Sequence, residues 1–135
     1  MKSLLLYPLL LVLVFFSNCK KEITQVVQPN ITILKTLQPD DWKYDAASNT
    51  YYVDIPVPEI DDHVVQTNGV LSYMTFNTTD IRYESLPDVL DGSTIVCFYE
   101  KGLYIIEIQG SDGSMVAPPS AAIGLKIVLV NSDIR

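Results

Sequence analysis

Apolar and β-branched residues recur along most of this chain with a period of two, in short runs broken by polar turns, and that pattern predicts strands. Ile31 to Leu37 (ITILKTL), Thr50 to Val57 (TYYVDIPV) and Gly69 to Phe76 (GVLSYMTF) are rich in Ile, Val, Thr and Tyr. The second run follows the turn-forming Ala46-Ala47-Ser48-Asn49, and the third opens on Thr67-Asn68-Gly69. Ser93 to Glu100 (STIVCFYE) and Leu103 to Gln109 (LYIIEIQ) are separated by Lys101-Gly102 alone, the mark of a hairpin, and Gly124 to Val130 (GLKIVLV) is the last such run. Ile81 to Glu84 is a shorter seventh candidate. Alternation assigns to the interior Tyr51, Val53 and Ile55, then Leu71 and Tyr73, then Val96 and Phe98. It does the same for Tyr104, Ile106 and Ile108, and for Leu125, Ile127 and Leu129.

No window carries a helical period of any length. Pro58 to Thr67 (PEIDDHVVQT) permits at most a turn, opened by proline and acidic residues and stopped by Asn68-Gly69. Short strands about ten residues apart, joined by polar turns, predict an all-β domain over residues 31–135. The expected form is a single antiparallel β-sandwich of immunoglobulin-like character with six to seven strands.

The N-terminal residues follow a different rule. Lys2 precedes an uncharged run from Leu4 to Phe16, which has the length of a signal-peptide core and falls short of the ~20 residues needed to span a bilayer. Residues 1–18 are therefore expected to be an export signal. Phe16-Ser17-Asn18 lacks the small residues of an ordinary cleavage site, and Cys19 stands at the boundary with Lys20-Lys21-Glu22.

That conjunction of lysine, apolar run and boundary cysteine resembles the lipobox of bacterial lipoproteins. It is closest in kind to the looser versions of spirochaetes and the Cys-Lys-Lys starts of Bacteroidetes, with Phe16 in place of the commoner Leu and Asn18 in place of Gly or Ala. The resemblance implies a diacylglyceryl group on the Cys19 thiol, cleavage before it, and an outer-membrane location, since Lys20 is not the aspartate of inner-membrane retention. A disulfide between Cys19 and Cys97 is the competing reading in an oxidising compartment, and solubility after export is another. Two or three acyl chains would give a lasting attachment, at about 0.8 kcal/mol per buried methylene. Residues 19–30, mixing charge, Gln, Thr and Pro, are expected to form a tether. A second resemblance, carried by Tyr51 to Ile60, Asn68 to Met74 and Leu86-Pro87, is to small exported β-rich proteins of Bacteroidetes, from which no activity carries over.

Charge and composition narrow the partners. The 135-residue chain has 9 Lys plus Arg against 16 Asp plus Glu, a net charge of −7. That disfavours nucleic acid and direct adsorption to anionic lipid, so the membrane contact expected is the lipid anchor. Asp61-Asp62-His63 holds the one histidine and is the densest group of metal-ligand residue types, but neighbours on extended backbone diverge, and a solvated acidic loop is the expectation there and at Asp40-Asp41. No Gly-x-Ser-x-Gly elbow occurs, Cys97 lies within an apolar run, and Gly110-Ser111-Asp112-Gly113-Ser114 lacks the lysine and helix of a phosphate loop. Neither enzymatic activity, metal nor cofactor is expected.

The aromatic residues around the first turn are the binding candidates. Trp42, Tyr44 and Tyr52, beside carboxylates, suit a sugar or peptide platform, although alternate aromatics in a small sandwich usually pack inward. The expectation is a lipid-anchored envelope protein presenting a non-catalytic domain to a glycan or protein partner. The alternative is a structural or accessory subunit of an envelope assembly that takes no small ligand.

Overall fold

The computed structural model describes residues 29–77 and 79–132. The expected export signal, Cys19 and most of the expected tether lie outside them. Each of the six runs with period-two patterning is a strand: β1 (Ile31–Leu37), β3 (Thr50–Pro56), β4 (Gly69–Thr75), β7 (Ser93–Glu100), β8 (Leu103–Gly110) and β9 (Ile123–Val130). Three-residue strands β2 (Lys43–Asp45), β5 (Glu84–Leu86) and β6 (Asp88–Leu90) join them, with a 3₁₀ turn at Pro39–Asp41 and one short helix, α1 (Asp62–Thr67). The candidate strand at Ile81 to Glu84 is displaced, its pairing beginning at Glu84.

Two antiparallel sheets pack face to face, in the orders β1-β9-β4-β5 and β2-β3-β8-β7-β6. The chain is an all-β sandwich. Its core is made by alternation: Val53 and Ile55 of β3, Tyr104, Ile106 and Ile108 of β8, and Leu125, Ile127 and Leu129 of β9 are buried. Full burial of each aliphatic side chain contributes about 1.5–3 kcal/mol.

In two strands the inward row differs from expectation. On β4 the buried positions are Ser72, Met74 and the terminal Thr75, with Val70 packed against the core, while Leu71 points out and is 49% exposed. On β7 Ile95 is buried and Cys97 packs against the core, and Phe98 is exposed. Both strands carry apolar residues on both faces, so alternation alone does not choose the row. On β4 the choice is made by a polar contact. The Tyr104 hydroxyl donates to Ser72 Oγ across the two sheets, and Ser72 Oγ lies 3.6 Å from Cys97 Sγ. Burial, with the neighbouring thiol, pushes the Tyr104 pKa well above that of a free phenol, so the hydroxyl keeps its proton and remains a donor.

Asp61 caps α1 by accepting from Val64 N at 2.9 Å, and Asp62 pairs with Lys101 at the β7–β8 hairpin. Gly102 in that hairpin adopts φ 77°, donates to Ile60 O at 2.7 Å and accepts from Val57 N at 3.0 Å. Gly124 is required for another reason: a Cβ there would lie 2.7 Å from Thr75 Cγ2. Near Gly69 and Val130, the Asn131 amide N–H donates to Asn30 Oδ1, its side-chain amide donates to Pro29 O, and Asn68 donates to Asn131 Oδ1. The start of β1 is thus tied to the end of β9.

Two variants test this framework. Tyr104→Phe, which strips Ser72 of its buried donor, is expected to lower unfolding free energy by about 1–2 kcal/mol in urea titration. Gly102→Ala meets no atom within 4 Å of the added methyl. Its cost is therefore that of the positive φ alone, about 1–2 kcal/mol, and a loss below a few tenths would contradict the assigned backbone.

Candidate functional site

Alternation along the β2–β3 ribbon sends its aromatic residues to different places. Trp42, just before β2, is buried at 8% exposure among the core residues. Its indole N–H finds no acceptor among the described residues. Tyr44, two residues on, faces the same side at the rim of the sandwich. Its ring lies 5.0 Å from that of its cross-strand partner Tyr51, tilted by 41°, and its hydroxyl donates to Asn49 Oδ1 at 3.0 Å. Asn49 makes the hairpin turn with φ 55°, a conformation asparagine tolerates better than most residues.

Tyr52 lies on the opposite, outward face, in register with Lys43 on one side and Glu107 of β8 on the other. The Lys43 ammonium sits 5.6 Å from the Tyr52 ring centroid and 3.0 Å from Asp54 Oδ2. That hydrogen bond, with the carboxylate's charge, raises the Lys43 pKa. Asp45 accepts from Ala47 N at 2.9 Å and from Ser48 Oγ at 3.0 Å, which shapes the turn above Tyr52.

These residues enclose a shallow depression of about 320 Å³ lined by Tyr44, Tyr52, Asp45, Asp54, Ser48 and Glu107, among others. It combines an aromatic face, three carboxylates and hydroxyl groups on the outer surface of the five-stranded sheet. Such a set can stack on a sugar ring and accept hydrogen bonds from its hydroxyls. Tyr52 faces it directly and Tyr44 borders it from the strand whose other side carries the Tyr44–Tyr51 ring contact; Trp42 belongs to the core instead. Asp54 and Glu107 were not singled out by sequence, although the alternation that puts Tyr52 outward puts Asp54 on the same face.

The other candidate clusters have local tasks. Asp61 and Asp62 are spent on the α1 cap and the Lys101 pair, Asp41 accepts from Gln38 N at 2.7 Å, and among the described residues no group of three or more His, Cys, Asp or Glu is placed to hold a metal ion. At the end of the sandwich remote from Asn30, a cleft of about 530 Å³ opens between Phe76, Leu90, Ile108, Pro118, Pro119 and Ile123. Among the described residues no helix is long and apolar enough to cross a membrane. Compared with known proteins, the chain matches no protein-family model, no curated protein and no solved structure.

The division between Trp42 and Tyr52 is measurable. Trp42→Ala is expected to cost about 3–5 kcal/mol of stability. Trp42→Phe should cost less than half of that, because it also removes an unpartnered buried donor. Tyr52→Ala should change stability by about 1 kcal/mol or less, as outward positions do. The single tryptophan reports the difference directly: its emission is expected to shift to the red on unfolding and to stay unchanged in Tyr52→Ala.

Proposed function

We propose that this chain is a lipid-anchored, non-catalytic binding module of a cell envelope, and that it binds a glycan at the depression around Tyr52. The observation that carries the reading is the company Tyr52 keeps. An outward aromatic ring lies between a lysine–aspartate pair and Glu107, in a hollow of about 320 Å³ on an otherwise regular sheet face. The ring offers a stacking surface for the C–H face of a sugar, Glu107, Asp54 and Asp45 accept from hydroxyls, and Ser48 can donate. No proton shuttle or nucleophile is needed for such a role.

The anchor half of the proposal rests on the lipobox-like residues Phe16 to Cys19. The described part of the chain is compatible with it: Asn30, where the tether meets the domain, lies at the end of the sandwich away from the β2–β3 turn. A domain held there carries the depression on its flank, clear of the bilayer. The net negative charge leaves acyl chains as the membrane contact.

Two measurements separate the halves. Glycan-array binding of the full chain in detergent is expected to fall at least about tenfold in Tyr52→Ala, the size of one lost aromatic contact. Glu107→Gln should weaken binding less; array signals unchanged in Tyr52→Ala would remove the depression from consideration. For the anchor, Cys19→Ser is expected to move the protein from the detergent phase to the aqueous phase and to abolish labelling by a fatty-acid analogue, and unaltered partitioning would count against it.

A further inference from the structure

Four strands form the margins of the two sheets: β1 and β5 in one, β2 and β6 in the other. Three of these margins are blunted. β2, β5 and β6 are three residues long, and a short edge strand offers little backbone for unwanted pairing. β1 is the longest open run, since the short edge strands leave at most five consecutive residues of a neighbour, 96–100 of β7, uncovered. It is seven residues long, contains no proline, pairs with β9 in unbroken register from Ile31 to Leu37, and has no strand on its other side among the described residues. Five of its seven residues are exposed, Leu34 to 66% and Ile31 to 45%. At the Leu37 end of the open margin lies a groove of about 420 Å³, lined by Leu37, Val53 and Ile55 and by the charged residues Lys35, Lys43, Asp40, Asp41 and Asp54 among others.

We infer that the open margin of β1 is a docking site for an extended segment of a partner protein, which adds to the four-stranded sheet as a further strand. Every second N–H and C=O of an edge strand points away from its paired neighbour, so β1 offers a row of donors and acceptors that only another extended backbone can match along its length. Successive side chains of the added strand alternate in direction. One row would enter the groove and meet Leu37, Val53 and Ile55, which calls for apolar residues at every second position. The other would lie beside Thr32, Leu34 and Thr36, where β-branched or polar residues fit. With Lys43 paired to Asp54, Asp40 and Asp41 outnumber Lys35 around the groove, and on a chain of net charge −7 this favours a basic residue at the segment's end.

A second copy of this chain is the obvious competing occupant. Antiparallel pairing about Leu34 would set Thr32 opposite Thr36 and Ile33 opposite Lys35, which is sterically acceptable. It would also point the two Asn30 ends in opposite directions. Two copies held at those ends in one membrane would have to lay β1 along the bilayer or stand inverted relative to each other, a constraint that a free segment does not meet. This choice of occupant rests on the anchor proposed for Cys19; the open margin does not.

The test is hydrogen exchange followed by mass spectrometry on the full chain in detergent micelles. The probe is the synthetic peptide Lys-Thr-Val-Thr-Val-Thr-Val-Lys, compared with the same peptide N-methylated at alternate residues. Exchange in the fragments covering Ile31 to Leu37 is expected to slow about tenfold at saturating peptide, with no slowing from the N-methylated form, which lacks half its donors. The inference is overturned by no slowing in β1, by equal slowing with the N-methylated peptide, or by slowing confined to β2, β5 or β6. Slowing in β1 that grows with protein concentration in the absence of peptide, together with a dimer in sedimentation, overturns it in favour of the second copy. Partitioning of Cys19→Ser then tells whether the anchor reading fails with it or stands alone.

Discussion

Tyr104 and Ile106 on β8, and Leu125, Ile127 and Leu129 on β9, are withdrawn from water because each of these strands runs through the interior of its own sheet and faces the other. The rest of the sandwich is arranged by the need to keep those two inner rows together. β8 is flanked by β3 and β7, and β9 by β1 and β4, so each central strand has both hydrogen-bonding margins satisfied. Apart from the Trp42 indole N–H, the hydroxyls drawn into this layer are hydrogen-bonded as well. Thr50 donates to Ser48 O, Thr75 to Asn77 O, and Tyr104 to Ser72. The Tyr104 contact is the most consequential, since it joins the middle of one sheet to the middle of the other and fixes which face of β4 is inner.

Most of the architecture is legible in the chain for a simple reason. In β3, β8 and β9 a single charged residue, Asp54, Glu107 or Lys126, marks the outer parity even where Leu103, Ile105, Val128 and Val130 share it, so alternation has one reading. β4 and β7 are illegible by the same logic. Val70, Leu71, Tyr73 and Met74 are apolar on both parities, and the inner row of β4 is centred on a serine that a pattern of hydrophobic positions assigns outward. Its partner, the Tyr104 hydroxyl, is 32 residues away, and no local signal announces it. Helix α1 is partly legible, through Asp61 as a cap and Asn68 as a stop, but its position depends on the hairpin at Gly102, whose backbone holds Ile60 in place.

The binding candidates divide on similar grounds. Trp42 and Tyr52 look alike in composition, both aromatic and both near a turn, yet strand parity separates them and the large apolar area of the indole is better placed in the core. Glu107 became part of the picture only through register, as the cross-strand neighbour of Tyr52. A site built from residues on neighbouring strands is invisible to spacing along the chain, because what brings it together is pairing between segments more than fifty residues apart.

The knot formed by Asn30, Asn68 and Asn131 has a mechanical consequence. β1 leaves it and runs away from Pro29 and Asn30, antiparallel to β9, so a pull on the N-terminal end is directed along the strand. The hydrogen bonds between β1 and β9 then carry the load together in shear, where a pull across the strand would peel them one after another. Asn131 adds to this by gripping both Pro29 and Asn30 at the point where the force enters. A domain built this way can be pulled at its N-terminal end while its outer surfaces keep their shape.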